Sequence, residues 1–318
     1  MSDKRTSGKK LANRLPVAVR VVLITLVFAG AYFGLRNLPD TQCGFLHYDT
    51  VVNAEGEVEF CATQHASFLD LTRLKYPVEM KVELSEDPKA GKTVDATLKL
   101  RRTGGAPLAP HELAVTHDEK MHLMIVDPTL EDYHHVHPKP AGSDGDYRFS
   151  FTPERTGRYR LMAEVVPARS RQQAVATEEI EVPGQAGEPE FNYKASDNSE
   201  GLDFALNNVP ERIRAGRDYR FELQVKTEAG APAQLETIMG AKGHMVAFDA
   251  GRRGYAHMHP ESSLVAARAG FGKSGPEPAG NARPAFVFNP PDPGWYRLFA
   301  QVQVDGREVF AHFDLRVE

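Results

Sequence analysis

His122-Leu-Met-Ile-Val-Asp127, a short gap and Tyr133-His-His-Val-His-Pro138 form a window that the chain repeats. The second copy reads His244-Met-Val-Ala-Phe-Asp249, followed by Tyr255-Ala-His-Met-His-Pro260. In both copies the last His comes 15 residues after the first, and seven of the 12 His of the chain lie in these two windows. A match of this kind indicates that one structural unit occurs twice.

The similarity extends over nearly a whole domain on each side of the windows. Short alternating segments with turn residues between them predict about seven strands per copy, the pattern of a β-sandwich. Gly157-x-Tyr159 and Gly294-x-Tyr296 are matched in position and resemble the tyrosine corner of Greek-key sandwiches. The sequence therefore predicts an all-β protein with two tandem immunoglobulin-like β-sandwich domains, over 77–183 and 201–318, joined by a linker over 184–200.

The N-terminal segment carries a targeting signal. Residues 1–14 form a basic tail, and residues 15–35 are mostly apolar, with Arg20 as their only charge. A helix of this length spans about 30 Å, enough for a bilayer core, and the preceding positive charge keeps the N-terminus in the cytoplasm. We predict a single-pass anchor in the inner (cytoplasmic) membrane with the following domains in the periplasm. A signal peptide cleaved near Ala29-Gly30-Ala31 is the alternative.

A connector over 36–76 contains the two Cys of the chain, Cys43 and Cys61. In an oxidising compartment we expect a disulfide between them, which would stabilise the fold by about 3 kcal/mol. A thiolate metal site with His47 and His65 is the alternative.

The hairpin expected in each window brings its His together. If Val126 pairs with Tyr133, side-chain alternation places His122, His135 and His137 on one face. The equivalent pairing of Phe248 with Tyr255 gathers the second set. We therefore predict one metal site per repeat, with these ligands: His122, His135 and His137 in the first, and His244, His257 and His259 in the second.

The donor set favours copper, with zinc as the alternative. Imidazoles suit both ions, and nearby thioethers shift the preference towards copper. The candidate additional ligands are His117, Met124, Met245 and Met258. In the competing interpretation the His are structural, bonded to backbone carbonyls, and the Met fill the core.

Composition and motifs exclude other classes. A net charge of −5 gives no basic surface for nucleic acid. His111-Glu112 fails the zinc-protease pattern because position 115 is Val, and neither a nucleophile elbow nor a phosphate-binding Gly loop occurs. We predict that the protein is not an enzyme.

At the windows the chain resembles bacterial exported proteins with immunoglobulin-like domains, described as YtkA-like or heavy-metal-associated. The resemblance rests on His122, His135, His137 and Pro138 with their counterparts in the second copy, and it covers about 77–318. It implies a metal-binding role. The second copy departs from the pattern at Ala250-Gly-Arg-Arg-Gly254, where the Pro and Leu of the loop are missing.

Together these observations predict a membrane-anchored periplasmic copper-binding protein for copper handling, delivery or resistance. Its partners would be the metal ion, the inner membrane through the N-terminal helix, and a periplasmic copper protein. The alternative is a non-catalytic interaction or assembly module.

Overall fold

The computed structural model describes residues 16–36, 48–52, 58–62, 68–142, 144–261 and 283–318. The chain forms two compact units, Met1–Gly44 and Phe45–Glu318. In the first unit, helix α1 spans Val17–Arg36, and large apolar side chains such as Val27 and Phe28 are exposed. No helix in the described ranges is both long and apolar enough to cross a membrane. The anchor predicted over 15–35 stays a prediction.

The second unit consists of antiparallel β-strands, which confirms the all-β class. The first repeat contains two sheets and one short 3-10 turn, Pro110–Glu112. Its outer sheet runs, in spatial order, through β4 (Val78–Leu84), β5 (Val94–Arg102), β9 (Asp146–Phe151) and β8 (Lys139–Pro140). Its inner sheet runs through β11 (Ala174–Val182), β10 (Gly157–Val165), β6 (Met121–Val126) and β7 (Tyr133–Val136).

The second repeat has matching sheets. Its outer sheet runs through β12 (Ser196–Ser199), β13 (Leu202–Asn207), β14 (Tyr219–Thr227) and β17 (Ala285–Phe288). Its inner sheet runs through β19 (Arg307–Val317), β18 (Gly294–Val304), β15 (His244–Asp249), β16 (Gly254–Met258) and β3 (Leu69–Asp70). The inner sheets of the two repeats therefore share one strand order, apart from the added β3.

Three apolar clusters hold these sheets together. One lies between the sheets of the first repeat and a second between the sheets of the second repeat. The third joins the two inner sheets and includes Met124 and Tyr133 from the first repeat and Phe248 and Phe299 from the second. The inner sheets are thus covered on both faces, and they meet each other across the boundary between the repeats.

Two predicted boundaries differ from the structure. The predicted linker contains β12, which pairs with β13 across a turn in which Gly201 has a φ of +77°. The polar run Ser196–Ser199 is accommodated because β12 is an edge strand with little apolar burial. The predicted connector contributes β3, which adds to β16. Gly254 permits this approach, because a Cβ there would lie 1.9 Å from the Leu69 carbonyl oxygen.

The rest of the connector bears on the predicted disulfide. Strands β1 (Tyr48–Val52) and β2 (Val58–Ala62) form a hairpin in which Cys61 pairs with Asp49. Cys43 lies outside the described residues, as does the side chain of Cys61. The disulfide therefore stays a prediction.

Both tyrosine corners occur. The Tyr159 hydroxyl accepts a hydrogen bond from the backbone N–H of Arg155 at 2.9 Å and donates to Asp132. The Tyr296 hydroxyl donates to the carbonyl of Asp292 at 2.9 Å. In each repeat the hydroxyl thus ties the start of a long inner strand to the chain four residues upstream.

Candidate metal centre between the two repeats

The two His hairpins have the predicted register. The backbone pairs that establish it are Val126 with Tyr133, Met124 with His135, Phe248 with Tyr255, and Val246 with His257. Because side chains alternate along a strand, the first and later His of each window share one face. That face is the one turned towards the other repeat.

Strands β6 and β15 are buried at every position. In β6, Leu123 and Ile125 pack into the core of the first repeat, whereas Met124 and Val126 pack into the cluster between the repeats. Because side chains alternate, His122 lies on the same face as Met124 and Val126, and that face is turned towards the interface. The same logic places His244 at the interface from the other side.

The structure brings both predicted ligand sets into one cluster. Between repeats, the ring centroids of His122 and His257 are 5.3 Å apart, and those of His135 and His257 are 5.0 Å apart. His117 stacks on His259 at 3.5 Å. We call the seven rings the His cluster: His117, His122, His135, His137, His244, His257 and His259. The two predicted ligand sets are therefore adjacent halves of this cluster.

The half contributed by the first repeat is tightly arranged. One ring nitrogen from each of His122, His135 and His137 lies within 4.8 Å of the other two. His122 and His135 are buried, and His137 is half-buried. Three imidazole donors at these separations can reach one ion.

The protonation of His122 follows from its neighbour. Its Nε2 lies 2.8 Å from the carbonyl oxygen of Thr116, which can only accept a hydrogen bond. Nε2 of the neutral ring therefore carries the proton and donates it. Nδ1 of His122 is left with a lone pair.

The protonation of His135 follows in the same way from Gln301. Gln301 donates through Nε2 to the Glu308 carboxylate at 2.9 Å, and this bond orients the amide. Its Oε1 consequently accepts from Nδ1 of His135 at 2.9 Å. Nε2 of His135 then has a lone pair, and this nitrogen lies 3.3 Å from Nδ1 of His122, which also has one. Two nitrogens bound to one tetrahedral ion at about 2.0–2.1 Å lie about 3.3 Å apart.

Further ring nitrogens of the His cluster are buried without hydrogen bonds. Among the described residues these are Nε2 of His137, both nitrogens of His244, both nitrogens of His257, and Nε2 of His259. An unsatisfied buried polar group costs about 1–3 kcal/mol. The cluster therefore concentrates lone pairs and N–H groups that the fold itself does not satisfy.

Burial favours the neutral form of six of the seven rings. It lowers the pKa of His122 to about 4, helped by the neighbouring His257, and lowers the pKa of His117 to about 3. Burial likewise lowers the pKa of His137 to about 2 and those of His135, His244 and His259 well below the usual range. Neutral imidazole is the form that binds metal, so at these six rings no proton has to be displaced at neutral pH.

We expect the metal-free chain to lose stability as the pH falls from about 6.5 towards 4. The pKa of His122 is about 4 in the fold, below the value near 6.5 of an unfolded chain, so the unfolded chain binds more protons in this window. Its free energy of unfolding then decreases with falling pH, by at most about 3 kcal/mol for this one residue. Urea unfolding with a chelator at pH 7.5 and pH 5.0 measures the decrease. His122→Phe should make the pH dependence shallower, and an unchanged dependence would contradict this origin.

The candidate additional ligands lie in different parts of the structure. His117 joins the cluster, and Met124 faces the interface with it. Met245 and Met258 instead pack into the core of the second repeat, so their assignment as ligands is wrong. The reason is alternation, because each is the immediate neighbour of a His that points to the opposite face.

Three supporting residues were missed from the sequence. Glu164 lies 3.6 Å from Nδ1 of His257, and Tyr255 donates to Glu164 at 2.9 Å. Burial raises the pKa of Glu164, but its contacts with His257 and Tyr255 outweigh burial and lower the pKa, so it is a carboxylate. Gln301 is the third. The sequence did contain a signal for Glu164 and Gln301. Each is the one polar residue in an otherwise apolar strand segment, Leu161–Val165 or Leu298–Val302.

A family comparison agrees with the duplication. The chain belongs to the family described as a domain of unknown function, DUF8832, which matches it twice, over residues 76–183 and 197–318. These ranges run close to the two predicted repeats. A comparison with curated proteins finds no match. The resemblance to YtkA-like proteins stays a prediction.

Solved structures offer distant similarities. Alpha-2-macroglobulin of E. coli is 12% identical with a TM-score of 0.24, and the match covers 84% of this chain and 16% of that one. A DUF4785 family protein of Legionella pneumophila is 9% identical with a TM-score of 0.25, covering 76% and 57%. Domains 4 and 5 of the S-layer protein SbsC are 11% identical with a TM-score of 0.21, covering 75% and 97%. These scores carry no argument about function.

Proposed function

We propose that this chain is a copper-binding protein in which the two repeats jointly build one centre from the His cluster. Each three-His set, His122 with His135 and His137, and His244 with His257 and His259, holds one ion. The two repeats are immunoglobulin-like sandwiches. The chain would be attached to the inner membrane and face the periplasm, where it handles, delivers or detoxifies copper.

One observation carries the proposal. Neutral His122 and His135 direct two lone pairs at each other across 3.3 Å, where a hydrogen bond would need a proton between them. Two acceptors repel at this distance, whereas a cation between them converts the repulsion into two coordinate bonds. His137 supplies the third donor.

The surroundings favour copper among the ions that imidazoles bind. Copper(II) has the highest affinity in the divalent series, and a thioether such as that of Met124 favours copper(I). The described contacts of the seven rings include one carboxylate, that of Glu164. An uncompensated buried charge is costly. A site lined mainly by neutral imidazoles therefore suits a monovalent ion better than a site lined by several carboxylates does.

Metal content tests the proposal. The full chain is loaded separately with copper and with zinc, desalted, and analysed for bound metal. We expect close to two coppers per chain and a marked loss in His122→Ala/His135→Ala. His111→Ala is the matched control, because His111 is exposed and lies outside the cluster. Tighter binding of zinc than of copper would reassign the metal, and failure to bind either metal would contradict the proposal.

The alternative is an interaction module with structural His. This alternative requires rings that are hydrogen-bonded to backbone carbonyls. Among the described rings of the His cluster, His122 has such a bond, with the carbonyl of Thr116. Both nitrogens of His244 and Nε2 of His257, which are buried without a hydrogen bond, weigh against it. A chain that binds no metal would restore this alternative.

A further inference from the structure

Glu164 and Gln301 occupy equivalent positions in the two repeats. Each lies seven residues after the Gly that opens its long inner strand, Gly157 or Gly294. Each is also paired in its sheet with the first His of its own window, Glu164 with His122 and Gln301 with His244. Duplication thus places a carboxylate in one repeat where the other has an amide.

The contacts of the two side chains cross from one repeat to the other. Gln301 accepts from Nδ1 of His135, in the first repeat, at 2.9 Å. Glu164 lies 3.6 Å from Nδ1 of His257, in the second repeat. Each repeat therefore supports the middle His of its neighbour, and Nε2 of each supported ring is the nitrogen directed away from that support.

Both supports are held in place by other groups. The amide of Gln301 is oriented by Glu308, and the carboxylate of Glu164 accepts from the hydroxyl of Tyr255 at 2.9 Å. Gln301 is 2% exposed and Glu164 is 8% exposed. Solvent therefore screens neither contact strongly, and the difference in charge between them acts at close range.

A carboxylate behind a metal-binding imidazole raises the basicity of the ring, whereas an amide does so much less. A more basic ligand with a negative charge behind it stabilises a higher positive charge on the ion. We propose that Glu164 and Gln301 are positioning residues that make the two halves of the centre inequivalent. The half containing His257 prefers copper(II), and the half containing His135 prefers copper(I). This inference rests on the proposed function.

The test exchanges the two side chains. Competition with chromophoric chelators measures the affinity of the full chain for copper(II) and, under reducing conditions, for copper(I). We expect Glu164→Gln to lower the ratio of copper(II) affinity to copper(I) affinity by about 10–100-fold, without changing the number of ions. Gln301→Glu should raise that ratio, and the double exchange should return it close to the wild-type value. The copper(II) electron paramagnetic resonance spectrum should change in Glu164→Gln.

The control is Glu181→Gln, which makes the same chemical change at an exposed position of the first repeat and should leave the ratio unchanged. If Glu164→Gln fails to fold, Gln301→Glu still tests the inference, because it is expected to shift the affinity ratio in the opposite direction. An unchanged ratio with both ions bound overturns this inference and leaves the proposed function standing. A wild-type chain that binds no copper overturns both.

Discussion

Copper is expected to raise the free energy of unfolding of the metal-free chain by about 4 kcal/mol for each bound ion when free copper exceeds the dissociation constant of its site a thousandfold. The physical reason is that the donors of the His cluster come from both repeats and converge only in the folded state. In the described interface, His257 of the second repeat lies against His122 and His135 of the first. Because the three ligands of each ion converge only in the folded chain, an ion bound to either set opposes unfolding.

Urea unfolding at buffered copper concentrations measures this stabilisation. The double variant His135→Ala/His257→Ala removes one ligand from each half and should unfold at the same urea concentration with and without copper. The exposed control His111→Ala should respond as the wild type does. Copper-dependent stabilisation that persists in the double variant would place the binding site elsewhere in the chain.

The second large effect is expected at Arg297. This side chain is 3% exposed and forms a two-pronged ion pair with Asp314, with N···O distances of 2.6 and 2.7 Å. It also donates to the carbonyl of Leu130, in the first repeat, at 3.1 Å and to that of Glu190 at 2.8 Å. Arg297 thus joins the second repeat to a loop of the first and to the segment between them.

Arg297→Met should lower the free energy of unfolding by about 3–5 kcal/mol, because it leaves the carboxylate of Asp314 buried without its partner. Chemical denaturation measures the loss. The matched control is Arg307→Met, whose side chain is 61% exposed and pairs with Glu200, and which should cost at most about 1 kcal/mol.

A second variant separates charge from packing. Arg297→Met/Asp314→Leu removes both charges and should recover much of the loss, since a buried ion pair contributes little more than apolar side chains of similar volume. If Arg297→Met costs no more than Arg307→Met, the pair does not tie the repeats together in the way the contacts indicate.

Local sequence patterns were sufficient to predict much of the fold. The spacing from Val126 to Tyr133 gave the correct hairpin register, and the equivalent spacing from Phe248 to Tyr255 gave the second. Register in a hairpin depends on residues a few positions apart, so one sequence can reveal it. Alternation also excludes Met245 and Met258 as ligands, a consequence that the sequence prediction did not draw.

A further sequence signal pointed to the interface. Strands β4 and β5 alternate between apolar and polar residues, as expected for sheets with one face in solvent, whereas β6 and β15 are apolar on both faces. A strand that is apolar on both faces, such as β6 or β15, is covered on both sides. This pattern predicts that another layer packs on each inner sheet, but it does not identify that layer.

By itself the sequence determined the all-β class, the duplication and the hairpin register, and it singled out six of the seven His that lie in the cluster. The tertiary structure decided that the two sets meet in one cluster, and that Glu164 and Gln301 reach across to His257 and His135. These contacts join residues that are about 90 or more positions apart in the chain. They depend on how two sheets pack face to face, and the local spacing of residues along either strand does not specify that packing.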